Sequence, residues 1–296
     1  MKENSRRNKT TWDARHSKHL IPELIGFILS LIVLSPFILV VFNAAKKSAD
    51  IVISPVAPPS HWGQLFINLK NVIGNQNFSY WKSFGSSLYI TAVSLILLTL
   101  FSSMAAWVLV RNKTKWSQLI FMMFVASMVI PFQVVMLPLL STFRKVSEFT
   151  GIPMLSSYTG IITAYLGFGG SLSVFILHGF IKGIPKELEE AAWIDGCSPE
   201  NTFFQIVFPL LKPVQMTVLI LNGIWIWNDY LLPSLMLGLN GRIKTLPVAV
   251  SSFVGSYVKQ WDLILAAAFL AMIPIVILFL CAQRQIIQGM VEGAIK

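Results

Sequence analysis

Six runs of apolar residues divide this 296-residue chain, and they restrict its fold more than any other feature. They are Leu24 to Phe42, Phe84 to Val110, Trp116 to Phe143, Tyr158 to Ile181, Val214 to Leu237 and Leu263 to Ala282. A helix needs about 20 apolar residues to cross the hydrocarbon core, and a charge at its centre costs roughly 2.5 to 3.5 kcal/mol on insertion scales. Only the fifth run contains a formal charge, Asp229. The pattern predicts an all-α membrane protein of six transmembrane helices. The first run follows more than twenty polar residues and is too long for the apolar region of a signal peptide, so it reads as an uncleaved span.

Composition agrees: 12% of the residues are charged and 55% hydrophobic, so lipid is the solvent for most of the chain. A net charge of +10 would suit nucleic acid, but the basic residues fall in short groups between the runs instead of forming one face. Anionic headgroups and the positive-inside rule account for them. Lys2, Arg6, Arg7, Lys9, Arg15 and Lys18 precede the first run and hold the amino terminus in the cytoplasm, and six crossings return the carboxyl terminus there. This topology places 14 of the 23 lysines and arginines inside, with Arg111, Lys113 and Lys115 in the shortest inner loop. The expected organisation is a cytoplasmic tail over 1–23, a six-span domain over 24–284 with a polar inner loop over 182–213, and a cytoplasmic tail over 285–296. The outer loop from Ala44 to Ser83, with Pro55, Pro58, Pro59, His61 and Trp62, is expected to lie against the outer membrane surface.

The polar loop between the fourth and fifth runs reads as helix, turn, helix. Pro185 suits a first helical turn, and Glu187, Glu189 and Glu190 place negative charge at the positive end of the helix dipole. Gly196 is able to take the positive φ that ends such a helix, and Ser198 with Pro199 offers the cap and first position of the next. Physics alone leaves this equally open to being an ordinary surface helix.

The residues around it resemble a known pattern. Glu190-Ala191-Ala192, then Asp195-Gly196, then Ile206, Pro209 and Pro213 are similar to the EAA motif of ATP-binding-cassette importer permeases, with Cys197 and Phe208 as departures. The likeness extends over Ser87 to Arg111, Pro131 to Leu139, Trp227 to Tyr230, Thr245 to Pro247 and Gln283 to Lys296, and it is strongest to the carbohydrate-uptake branch, in the second permease of maltose-type and oligosaccharide-type systems. The resemblance implies a type I importer permease architecture in a bacterial-type cytoplasmic membrane, with Glu190, Ala191, Ala192, Asp195, Gly196, Ile206 and Pro209 in a coupling helix that docks on an ATPase subunit. It also implies a heterodimer with a homologous permease, two ATPase subunits that hold ATP and Mg, and an extracytoplasmic sugar-binding protein docking near Gly238 to Asp262. The tail from Gly289 to Lys296 would approach the ATPase pair.

The chain has no phosphate-cradling Gly-x-x-x-x-Gly-Lys-Ser/Thr, so no cofactor of its own is expected and ATP must act elsewhere. His16, His19, His61 and His178 lack metal-ligand spacing, and Cys197 and Cys281 suggest neither a disulfide nor zinc. Gln133, Trp227, Asn228 and Asp229 are candidates for a substrate pathway, since aromatic faces pack on sugar rings while amides and carboxylates meet hydroxyls. Asp229 is equally readable as a bond to a neighbouring helix, Gln133 as ordinary packing between Pro131 and Pro138, and His178 as a structural hydrogen-bonding residue. Gly167, Gly169 and Gly170 allow close helix approach or a break in the fourth run. The competing functional class is a self-sufficient secondary transporter or channel carrying coupling ions on Asp229 and His178; a membrane-embedded enzyme or scaffold has no residue set behind it.

Overall fold

The computed structural model describes residues 3–75, 78–239, 241–256 and 260–294, with side chains over 22–75, 78–239, 241–251, 260–277 and 280. Among these residues every regular element is helical. In chain order they are α1 Glu3–Ala44, α2 Ser48–Ile53, α3 Gly63–Ile73, α4 Tyr80–Arg111, α5 Lys115–Ser127, α6 Phe132–Thr150, α7 Tyr158–Ile181, α8 Glu187–Ile194, α9 Pro199–Thr202, α10 Phe208–Leu210, α11 Lys212–Asn228, α12 Leu231–Met236, α13 Leu246–Ser256 and α14 Trp261–Ala294. A π-turn, Phe203–Val207, joins α9 to α10.

Among the described residues, three segments are long and apolar enough to cross a membrane unaided: Pro22–Ala44 within α1, then α4 and α7. These match the first, second and fourth apolar runs. The third run is not one helix. It divides into α5 and α6, which meet at 110° across Met128 to Pro131. Pro131 caps α6 with extended backbone, whereas Pro138 sits inside α6 without ending it, so the break lies at the first proline alone. The fifth run also ends early: α11 stops at Asn228, and α12 resumes after Asp229. Within α14, Trp261–Ile277 is apolar among the described residues. The fourth run is unbroken, so its glycines do not mark a discontinuity, and of the three Gly169 serves close packing.

The chain forms two compact units. In the first, over 1–72 and 257–269, the connection after α1 folds around Lys46, which is buried: its ammonium donates to Asn43 Oδ1 (3.0 Å) and to the Ser54 carbonyl (2.7 Å). Asn68 donates to the Ala44 and Lys46 carbonyls, and Ser48 donates to Asp262 Oδ1 (2.5 Å). This connection thus closes on a polar knot, while Pro55, Pro58, His61 and Trp62 remain exposed.

In the second unit α4 packs along α7, and α11 lies against both. The contact face of α4 is small and hydroxylic, with Ser83, Ser87, Thr91, Ser94, Ser102 and Ser103 buried at helical spacing. Across it, Gly169 lets Leu98 and Asn222 approach so closely that a Cβ there would lie 2.6 Å from Asn222 Oδ1 and 2.9 Å from Leu98 Cδ1. Asn222 donates to Ser173 Oγ (3.0 Å) and to the Val218 carbonyl (2.9 Å), forming a polar layer. An apolar cluster including Ile90, Ile161, Tyr165, Ile226 and Leu232 lies to one side of this layer. A second, including Ala106, Val110, Leu177, Ile181, Phe203, Val207 and Leu211, lies to the other. Asn240, 257–259 and the side chains of 281–296, on which parts of the expected outer loop and tail fall, lie outside the described residues.

Candidate functional site

The segment between α7 and α11 is built into the end of the bundle by one buried ion pair. Glu189 turns inward to 2% exposure, and its Oε1 receives Arg111 Nη2 at 2.7 Å and Nε at 2.8 Å. Its Oε2 accepts from Trp107 Nε1 at 3.0 Å, and Arg111 also donates to the Ile184 carbonyl at 3.0 Å. Burial strengthens such a pair only when its remaining hydrogen-bonding capacity is filled, and here both carboxylate oxygens are engaged. Sequence reasoning assigned Glu189 to the helix dipole and Arg111 to membrane orientation. It missed their pairing because 78 residues separate them.

The inner face of α8 is therefore Glu189 and Ala192, both buried, while Glu190, Ala191 and Asp195 are exposed. On the same outer side Ile194 is 86% exposed, an unusual placement for a large apolar residue on a charged helix. Helix α8 begins at Glu187, so Pro185 precedes the helix instead of entering its first turn. Gly196 has φ +84°, the left-handed conformation that glycine adopts without a Cβ penalty. Ser198 Oγ accepts from the Asn201 N–H and Pro199 occupies the start of α9, as the spacing requires.

Beyond α9 the helix widens. Pro209 has no N–H to offer the Gln205 carbonyl, and the turn before it accommodates this with the i−5 bond from the Phe208 N–H to the Phe203 carbonyl. Ile206, half-buried, lies in that turn, and Pro209 is exposed. Phe203, 5.4 Å from the Trp107 ring, and Leu211 carry the segment into the apolar cluster. The axis from Pro199 to Leu210 then bends by 74° into α11, where Pro213 occupies the first turn.

The pathway candidates do not form a group. Among the described residues, no hydrogen bond or ring contact links Gln133 to Trp227, Asn228 or Asp229. Gln133 is exposed on α6, and Trp227 is buried edge-on against Phe84 at 5.8 Å. Asn228 is exposed and donates to its own helix at the Ile224 carbonyl. Asp229 is a cap: Oδ1 accepts from the Leu231 N–H (3.0 Å) and Leu232 N–H (3.4 Å), and Oδ2 accepts from Tyr165 Oη (3.1 Å). This carboxylate joins α11, α12 and α7, which is the neighbouring-helix reading. His178 is buried and stacks on Phe121 with ring centroids 3.7 Å apart.

The family model described as binding-protein-dependent transport system inner membrane component matches residues 98–292. A probable starch degradation products transport system permease protein of Thermoanaerobacterium thermosulfurigenes is 39% identical over 281 residues, covering 95% of this chain and 98% of that one. The chain belongs to this family of inner membrane transport components. A melibiose/raffinose/stachyose import permease protein of Bacillus subtilis is 39% identical over 216 residues, 73% of this chain and 76% of that one. This inner membrane component also shares its fold with a chain of a bacterial ABC transporter involved in importing the acidic polysaccharide alginate. That chain is 16% identical with a TM-score of 0.72, over 92% of this chain and 97% of the other. In this inner membrane component the matched residues begin within α4 and take in both Arg111 and the whole of α8 to α11.

Proposed function

We propose that this inner membrane component is the transmembrane permease subunit of a binding-protein-dependent ABC importer, and that it moves an oligosaccharide by alternating access driven by separate ATPase subunits. The observation that carries the reading is the two-faced α8: Glu189 locks its inner face to α4, while Glu190, Ala191 and Ile194 remain open to a partner. A lever must be fixed on one side and free on the other. Closure of the ATPase dimer around ATP and Mg pushes this exposed face. The ion pair passes the displacement to α4, and Phe203 and Leu211 pass it to α7 and α11. The carbohydrate assignment draws on the relatives, whose names concern starch degradation products and melibiose, raffinose and stachyose.

The full assembly in this proposal has a homologous second permease, two ATPase subunits and an extracytoplasmic sugar-binding protein, in a cytoplasmic membrane with both termini of this chain inside. The six-span topology belongs to the proposal, with α5 and α6 together forming the third crossing, α11 and α12 the fifth and α14 the sixth. Gln133 and Asn228 are the exposed members of the pathway set. Trp227 lies within the core against Phe84, and Asp229 holds the helix ends in place.

Uptake of labelled raffinose and of a starch-derived maltooligosaccharide into proteoliposomes holding the assembly tests this. Transport of one of them is expected only with ATP on the ATPase side, and uptake by this chain alone under a proton or sodium gradient would contradict the proposal. Asp229→Asn separates the two classes further. The amide oxygen still accepts the Leu231 N–H, so ATP-driven uptake should stay within about threefold of the parent, a change under about 1 kcal/mol. An ion-coupling carboxylate would instead lose all transport in that variant.

A further inference from the structure

A cleft of about 1000 Å³ opens beside α8, with Glu190 of its exposed face among the lining residues. One wall is the α4–α5 connection with Lys113 and Lys115, and the opposite wall is the α7–α8 connection with Lys182 and Lys186. Arg111 also lines it, but its charge is committed to Glu189. Glu187 and Glu190 stand at the rim toward α8 and offset only half of the four lysines. The rest of the lining is mixed: Asn112, Thr114, Ser117 and Gln118 are polar, Leu109, Phe121, Met122 and Ile184 are apolar, and the Phe121 ring stacks on His178, which lines the same cleft.

Its place in the fold decides the ligand class. Arg111 and Ile181 are the last residues of α4 and α7, the two apolar helices that flank the cleft, so its mouth lies at the boundary between hydrocarbon and water. The adjoining surface of α5 is apolar and exposed, with Trp116 73%, Leu119 51% and Met122 53% accessible. Lys113, Lys115, Lys182 and Lys186 all line the cleft at this boundary, and the exposed apolar side chains of α5 adjoin it. We propose that the cleft binds the phosphate headgroup of an anionic phospholipid, with its acyl chains along α5. A free phosphate would use the lysines and leave these apolar side chains without a role. Basic pockets between helix ends at the membrane surface are suited to such headgroups.

The test uses the assembled importer in nanodiscs of phosphatidylcholine with one-fifth phosphatidylglycerol, followed by native mass spectrometry of the retained lipid. Each lysine near the membrane surface contributes on the order of fivefold in binding, so Lys182→Gln/Lys186→Gln should lower retained phosphatidylglycerol by about tenfold or more. Arg144→Gln/Lys145→Gln, an exposed basic pair on α6, should leave it unchanged. Equal retention in both double variants overturns the site. Binding of inorganic phosphate in pure phosphatidylcholine discs, with no preference for phosphatidylglycerol, overturns the lipid assignment. Retention that appears only when the ATPase subunits are absent assigns the cleft to a protein contact instead. The readout is bound lipid and not uptake, so it stands apart from the transport proposal.

Discussion

Replacing Glu189 with alanine is expected to destabilise the assembled importer by about 3 to 5 kcal/mol and to separate ATP hydrolysis from sugar uptake. The carboxylate is 2% exposed and receives three donors from α4, so its loss leaves the Arg111 guanidinium, only 15% exposed, with no counter-charge. Removing one partner of a buried pair costs more than the pair contributes, because the remaining charge has already lost its water. The exposed face of α8 is unaltered in this variant, so the ATPase subunits should still dock and hydrolyse ATP. Uptake per ATP should fall on the order of tenfold, the size of an ordinary coupling free energy. The check is the thermal midpoint together with the ratio of sugar moved to ATP consumed. Arg111→Ala/Glu189→Ala should cost less than the two single changes combined. Additive single effects, each below about 1 kcal/mol, would show that the pair is not the joint described here.

Gly169→Val should be the most damaging change within the membrane, on the order of 3 kcal/mol. Its Cβ would sit 2.6 Å from Asn222 Oδ1 and 2.9 Å from Leu98 Cδ1. Both obstructing atoms end side chains that are nearly inaccessible, at 2% and 1% exposure, and neither has open space to enter. Asn222 would have to leave Ser173 and the Val218 carbonyl to make way. Pairing the change with Leu98→Ala vacates part of the space and should restore some of the lost stability. Yield of monodisperse protein and resistance to heat-induced aggregation measure both effects. A Gly169→Val protein as stable as the parent would mean that α4, α7 and α11 do not meet this closely.

How far these features were legible in the sequence varies with their range. The spans at α4 and α7 follow from uncharged runs, and Tyr158 to Ile181 matches α7 residue for residue. The turn at Gly196 and the cap at Ser198 are local chemistry and were readable as such. A hydropathy run records length without direction, so the 110° break between α5 and α6 was hidden inside one apolar stretch. Only Pro131, which disfavours helical backbone at the residue before it, marked its place. The role of Asp229 stayed open between pathway and helix contact because only the N–H groups of Leu231 and Leu232 are local to it, whereas Tyr165 becomes a neighbour when the helices assemble. The Arg111–Glu189 pair was hidden for the same reason. The serine face of α4 could have been found, since its hydroxyls recur mostly at three- and four-residue steps.

The central claim is that force enters through the outer face of α8, and thiol cross-linking in the assembled importer tests it most directly. In a background carrying Cys197→Ser and Cys281→Ser, single cysteines at Ile194 and at Ala192 are paired with cysteines scanned over the ATPase surface. The account predicts rapid cross-links from Ile194, which is 86% exposed, that change in rate when ATP is added, and none from Ala192, which is 6% exposed behind it. No cross-link from Ile194 at any scanned position, or equal reaction at both sites, would contradict it.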